Sequence, residues 1–163
     1  MLARLHLVLL KIYRRLPVGG RRFVVRRLAP SFSVGSICIV ERSDGALLLV
    51  RHSYRRRWGF PGGLLARGET PAAAARREAM EEVGLAIEIV GEPTVVVDPK
   101  PRRVDVIFKC RPEPASDPDS VRPSSPEIVE VRWFPRRDLP ELQHEAAGAL
   151  VTLARREGID AAE

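Results

Sequence analysis

Two periods organise the apolar positions of this chain. Ser33 to Glu41 and Ala46 to Val50 are dense in Val, Ile and Leu, and predict two strands joined by the turn Ser43-Asp44-Gly45. Ala86 to Val97 and Val104 to Cys110 predict two more, linked by Asp98-Pro99-Lys100-Pro101-Arg102-Arg103. Glu127 to Phe134 alternates as an edge strand does. Ala72 to Val83 contains strong helix formers and no internal Gly or Pro, so it predicts a helix. Thr70 can cap the free amides at its start, Pro71 fits the first helical position, and Gly84 falls where a left-handed cap belongs. Leu139-Pro140 predicts the opening of a last helix that ends near Gly158, with Leu142, Leu150, Val151 and Leu153 on its packing side. Pro112 to Pro126, rich in Pro, Ser and Asp, reads as a mobile loop. Strands alternating with helices and closed by a late helix fit an α/β/α sandwich.

The first 28 residues follow another rule. Leu2, Leu5, Leu9, Ile12 and Leu16 recur at helical spacing among Arg4, Lys11, Arg14, Arg15, Arg21, Arg22, Arg26 and Arg27, with no acid present. This predicts a basic amphipathic helix. It suits a helix packed on the domain or in a homodimer interface, contact with an anionic membrane surface, or attraction to nucleic acid or polyphosphate. A secretory leader fits worst, because Leu7 to Leu10 is a very short apolar core that Lys11 interrupts.

Composition narrows the rest. A chain of 163 residues, 45% hydrophobic and 29% charged, has the size and balance of one globular domain. Cys38 and Cys110 each lie in an apolar run and read as small core residues, not as a disulfide framework or a zinc site. No apolar run approaches the roughly 18 residues that a membrane span requires. The expected compartment is the cytoplasm.

One stretch breaks a local rule. Glu78, Glu81 and Glu82 stand three and four residues apart on the last turns of the Ala72–Val83 helix, so their carboxylates share a face. The helix dipole is negative at that end and like charges repel, each effect costing about 0.3–1 kcal/mol. Ala72, Ala75, Ala79 and Val83 form a thin apolar stripe beside them. A hard divalent cation with oxygen ligands is one compensation for the crowding. A solvated helix whose Arg76 and Arg77 offset the acids is the other. Just upstream, Arg51-His52-Ser53-Tyr54-Arg55-Arg56-Arg57 is a dense basic loop suited to phosphate oxygens, with Tyr54 or Trp58 available to stack on a base and Trp58 equally suited to a core.

Gly63 to Leu85 resembles the signature box of the Nudix hydrolases: G, five residues, E, seven residues, REUXEEXGU, where U is aliphatic. Gly63, Glu69, Arg77, Glu78, Glu81, Glu82 and Gly84 fill every fixed position, while Ala79 is a small residue at the first aliphatic one. Trp58-Gly59-Phe60-Pro61-Gly62 looks like the family's lead-in. The resemblance implies a Nudix-type α/β/α sandwich with a mixed sheet over residues 31–163, and makes residues 1–30 an added basic helical extension. It also implies Mg²⁺, with Mn²⁺ as a substitute, held by Glu78, Glu81 and Glu82 with the Gly63 carbonyl. Glu82 or Glu127 would accept a proton, with Glu130 a second candidate beside Glu127. Arg77 would orient Glu69 and the ligand carboxylates, and Arg51, Arg57 and Trp58 would face a nucleotide-type substrate. The expected reaction is hydrolysis of the pyrophosphate in a nucleoside diphosphate linked to another group, such as ADP-ribose or a sugar nucleotide. Pro99 and Pro101 stand near a proline common in family members that split ADP-ribose. A sanitising (d)NTP pyrophosphohydrolase and a non-enzymatic binding module are the alternatives.

Overall fold

The computed structural model describes residues 11–160 apart from 12 and 30. Most of the predicted N-terminal amphipathic helix, Leu2, Leu5, Leu9 and Ile12 included, lies outside the described residues. The chain forms two compact units, Met1–Phe32 and Ser33–Glu163. In the first, helix α1 (Val18–Leu28) starts after Pro17 in extended geometry and closes with the Ala29 amide donating to the Val25 carbonyl at 2.8 Å.

The second unit is built from β1 (Ser33–Val40), β2 (Leu47–His52), β3 (Gly62–Leu64), α2 (Pro71–Val83), β4 (Ile87–Asp98), β5 (Arg103–Pro112), β6 (Ile128–Phe134) and α3 (His144–Asp160). One sheet has the order β3-β1-β5-β4, with β1 parallel to β5 and the other pairs antiparallel. β2 and β6 form a second, antiparallel pair. The period of two in β1 sorts its side chains between two cores. Cys38 and Val40 join Val106, Phe108 and Cys110 under Ala75, Ala79 and Val83 of α2. Ile37, Ile39 and Ile107 meet Ala146, Ala149 and Leu153 of α3 on the other side. Helices therefore cover both faces, in the α/β/α arrangement with a mixed sheet. Alanines let α2 lie close: Ala74, Ala75 and Ala79 are fully buried.

The turn between β1 and β2 forms as the sequence predicts, with Arg42 donating its amide to the Ala46 carbonyl at 2.9 Å and Asp44 accepting from the Ala46 amide. The two strands then part after the single bridge Glu41↔Leu47. A strand has two hydrogen-bonding edges, and those of β1 are taken by β3 and β5, so β2 pairs with β6 instead.

The last helix begins at His144, later than Leu139-Pro140 suggests, and continues through Gly158 to Asp160. Residues before it are held extended by Trp58, whose amide donates to the Glu141 carbonyl at 3.1 Å and whose carbonyl accepts from the Gln143 amide at 2.8 Å. Leu153 is buried as expected, whereas Val151 is half exposed. The Pro112–Pro126 segment is tied to α2: the Arg122 and Ser124 amides donate to the Val83 and Glu82 carbonyls at 3.3 and 3.0 Å. Those carbonyls are among the ones a helix end leaves without internal partners.

Local chemistry sets the ends of α2. Thr70 Oγ1 accepts from the Ala73 amide at 3.3 Å, and Gly84 closes the helix at φ 68°. Thr70→Ala is expected to lower unfolding stability by about 1 kcal/mol. Gly84→Ala, forced into the left-handed region, is expected to lower it by about 1–2 kcal/mol. Urea denaturation of both variants checks the pair.

Candidate active site

Between Trp58 and Leu64 the chain crosses from β2 to the edge of β1, burying Phe60 and Pro61 on the way. It arrives at the last turns of α2. The Gly62 amide donates to Glu82 Oε2 at 3.0 Å, and Glu82 Oε1 lies 3.5 Å from His52 Nε2. Both oxygens of this buried carboxylate are therefore faced by nitrogen. Gly63 runs so close to Glu78 that a Cβ there would lie 2.3 Å from its Oε1. Only glycine permits that approach. Burial pushes the Glu78 carboxyl above the ordinary range against the pull of Arg77, and the charges of Glu82 and Glu81 raise it further.

Arg77 stands among these acids. Its Nε and Nη2 donate to the two Glu69 oxygens at 2.8 and 2.9 Å, a bidentate fork. Its Nη1 donates to Glu78 Oε1 at 2.8 Å and Glu81 Oε2 at 3.1 Å, and Nη2 reaches the Leu64 carbonyl at 3.3 Å. Pairing with Glu69 and then Glu78 drives the guanidinium pKa further up, and Arg77 with the Ala66 amide holds the Glu69 carboxyl down at about 2. Arg76 takes no part; it donates to the Ala72 carbonyl on the exposed side.

A cavity of about 600 Å³ opens on this face. Glu78, Glu81, Glu82 and Glu127 line it, together with His52, Tyr54, Arg55 and Arg103. Tyr54 donates its hydroxyl to Glu127 Oε2 at 3.3 Å and tilts its ring against that of His52, centroids 5.3 Å apart. Arg55 pairs with Glu145 at 3.3 Å and Arg103 with Asp105 at 2.7 Å. Ile37, Phe60, Leu64 and Ala146 add apolar wall, and Gln143 a polar side chain. Beside the single imidazole of His52, the groups at the glutamates that could ligate a metal are carboxylate and backbone oxygens, a set that suits a hard divalent cation. As placed, no three His, Cys, Asp or Glu among the described residues converge into a closed cage, because the acids fan around Arg77.

The structure gathers Gly63, Glu69, Arg77, Glu78, Glu81, Glu82 and Glu127 into this neighbourhood. It places Arg51, Arg57 and Trp58 elsewhere, outside the cavity wall. Arg51 bonds Glu130 across the β2–β6 pair at 2.7 Å, and neither lines the cavity. Arg57 pairs with Glu141, and Trp58 packs edge-on against Phe134 at 4.9 Å. Pleating explains the exchange: consecutive strand residues point to opposite faces, so Arg51 turns away where His52 turns in. His52 was therefore findable from alternation along β2. Arg103 and Gln143 were not, since they reach the cavity by the tertiary course of β5 and the segment before α3. Pro99 and Pro101 are exposed in the β4–β5 turn and do not line the cavity.

The Glu69–Arg77 pair has a pH signature. A carboxyl held at about 2, against an ordinary 4.5, contributes stability above pH 4.5 that is lost as pH falls through the window toward 2. Wild type is expected to unfold at higher urea than Glu69→Gln at pH 6, with the gap closing through that window. Denaturation of both proteins across the pH series measures it.

Comparison with known proteins agrees with this arrangement. The family model of the NUDIX domain matches residues 32–154. A MutT-like protein from Streptomyces ambofaciens is 31% identical over 112 residues, which cover 69% of this chain and 70% of that protein. An ADP-ribose pyrophosphatase from Mycobacterium tuberculosis is 44% identical over 77 residues, 44% of this chain and 35% of that protein. The crystal structure of a NUDIX hydrolase from Nitrosomonas europaea superposes with a TM-score of 0.65 at 27% identity, covering 74% of this chain and 69% of that one. The matched span includes Gly63, Glu78, Glu81 and Glu82 on the cavity wall and Arg77 behind them, and the chain belongs to the NUDIX family and is a Nudix hydrolase acting on phosphoanhydride bonds.

Proposed function

We propose that this hydrolase uses Mg²⁺, replaceable by Mn²⁺, to cleave the pyrophosphate of a nucleoside diphosphate joined to another group, with ADP-ribose or a sugar nucleotide as the substrate class. The observation that carries this reading is one cavity lined both by Glu78, Glu81, Glu82 and Glu127 and by Arg55, Arg103, Gln143 and apolar side chains. A pyrophosphate at the glutamates leaves room for a group on each side, and about 600 Å³ lies within the usual range of ligand pockets. The Mycobacterium tuberculosis relative named an ADP-ribose pyrophosphatase supports the same class. The MutT-like relative, which aligns over more of the chain, favours a second reading, a (d)NTP pyrophosphohydrolase.

In this scheme Glu78, Glu81, Glu82 and the Gly63 carbonyl hold the cation. When bound, it offsets pyrophosphate charge and lowers the pKa of an attacking water. Glu82 or Glu127 accepts the proton. The Gly62 amide and His52 orient the first, and the Tyr54 hydroxyl orients the second. Arg77 positions Glu69, Glu78 and Glu81 without touching substrate, the task of an outer-shell partner. The phosphate-holding role expected of Arg51 and Arg57 passes to Arg55 and Arg103, and a base would stack on Tyr54, since Trp58 is committed to Phe134.

Glu82→Gln is expected to lower turnover by about 100-fold or more while the urea midpoint stays near wild type. Turnover within a few-fold of wild type at saturating Mg²⁺ overturns the assignment. With a substrate panel, AMP and ribose 5-phosphate from ADP-ribose support the first reading; inorganic pyrophosphate from (d)NTPs supports the second. Arg55→Ala is expected to raise KM about tenfold, whereas Arg51→Ala leaves KM within about twofold. The reverse order would return the phosphate contact to Arg51.

A further inference from the structure

The first unit carries a surface that hydrolysis does not use. No Asp or Glu occurs before Glu41, while eight Lys and Arg fall within the first 28 residues. The whole chain has a net charge of +6, so everything after that stretch carries a small negative excess. Lys11, Arg14, Arg15, Arg22 and Arg27 are exposed. Large apolar side chains stand in water among them: Phe23 is 68% and Leu28 79% exposed, with Val18 and Val25 also exposed.

Helical geometry sorts these residues. At 3.6 residues per turn, Val18, Val24, Val25 and Leu28 fall within about a third of the circumference of α1, and Arg22 and Arg27 lie outside that arc, as does Phe23, which stands on the arginine side. Arg21 falls inside the arc by position, but folds back. Its Nε and Nη2 donate to the Leu16 and Arg14 carbonyls at 2.9 and 2.6 Å, and its guanidinium sits over the Tyr13 ring at 6.0 Å. Its charge is thereby drawn off the apolar stripe.

We propose that α1 and the basic residues before it are a docking surface for an anionic lipid bilayer. Arginines beside large exposed apolar residues match the two layers such an interface offers, anionic headgroups above and acyl carbon below. A second copy of this chain is opposed by the same charges, since the surface would meet its own cations with no acid to pair them. Nucleic acid would engage the arginines and leave Val25 and Leu28 in water. The occupant that uses both features is the bilayer. The proposal is independent of the substrate reading, because its readout is partition and not turnover.

The test is sedimentation of the full chain with vesicles of phosphatidylcholine alone or of equimolar phosphatidylcholine and phosphatidylglycerol. Binding is expected only with the second, falling as added salt shortens the screening length. Val25→Ser with Leu28→Ser is expected to weaken it about tenfold or more, with hydrolysis and circular dichroism unchanged. Arg22→Glu with Arg27→Glu, a second variant, is expected to weaken it likewise. No binding to anionic vesicles, equal binding to neutral ones, or indifference to both variants overturns the proposal. A protein that ignores vesicles but binds poly(U) would mark the surface for nucleic acid. One that ignores both but self-associates through Val25 and Leu28 would mark a dimer interface.

Discussion

Carboxylates at close quarters repel, and the active end of this protein depends on how that repulsion is contained. Glu69, Glu78 and Glu81 all bond one guanidinium, Arg77, while Glu82 is buried against a backbone amide and an imidazole nitrogen. A lone surface ion pair adds little stability, but a fork shared among three acids acts as a network. It fixes the direction of each carboxyl group at a helix end whose dipole opposes negative charge. The close pass of Gly63 and the inward turn of Glu78 follow from the same constraint: the acids must be near one another and near the cavity, and only backbone without a Cβ fits between.

Much of this was legible in the chain because it is local. Thr70, Pro71 and Gly84 set the ends of α2 through contacts within four residues, and the three- and four-residue spacing of the glutamates needs only a helix to become a shared face. The apolar runs of β1 and β2 were equally readable as strands, while the sorting of Ile37 and Cys38 to opposite cores appears only in the fold. What was not legible depends on partners far along the chain. β2 leaves β1 because β3 and β5 already occupy its edges, and nothing in Ala46 to Val50 records that competition.

The basic loop is an intermediate case. Its composition pointed to cations near the site, and Arg55 lines the cavity while Arg51 and Arg57 stand outside it. Composition does not say which arginine of a cluster faces the cavity. Alternation does part of that work, since it separates Arg51 from His52. The remainder, such as Arg103 entering from β5, needs the folded chain.

The tie between the Pro112–Pro126 segment and α2 has a mechanical meaning. Ser124 bonds the carbonyl of Glu82 itself, and the chain continues only three residues before Glu127 faces the same cavity. The Ser53 amide then holds the Glu127 carbonyl at 2.8 Å, beside His52 and Tyr54. Helix, loop and β2 thus close a short ring of bonds around the mouth of the site. The distance between Glu82 and Glu127 is spanned by a few residues of backbone bonded at both ends, and not by a loop tethered at one.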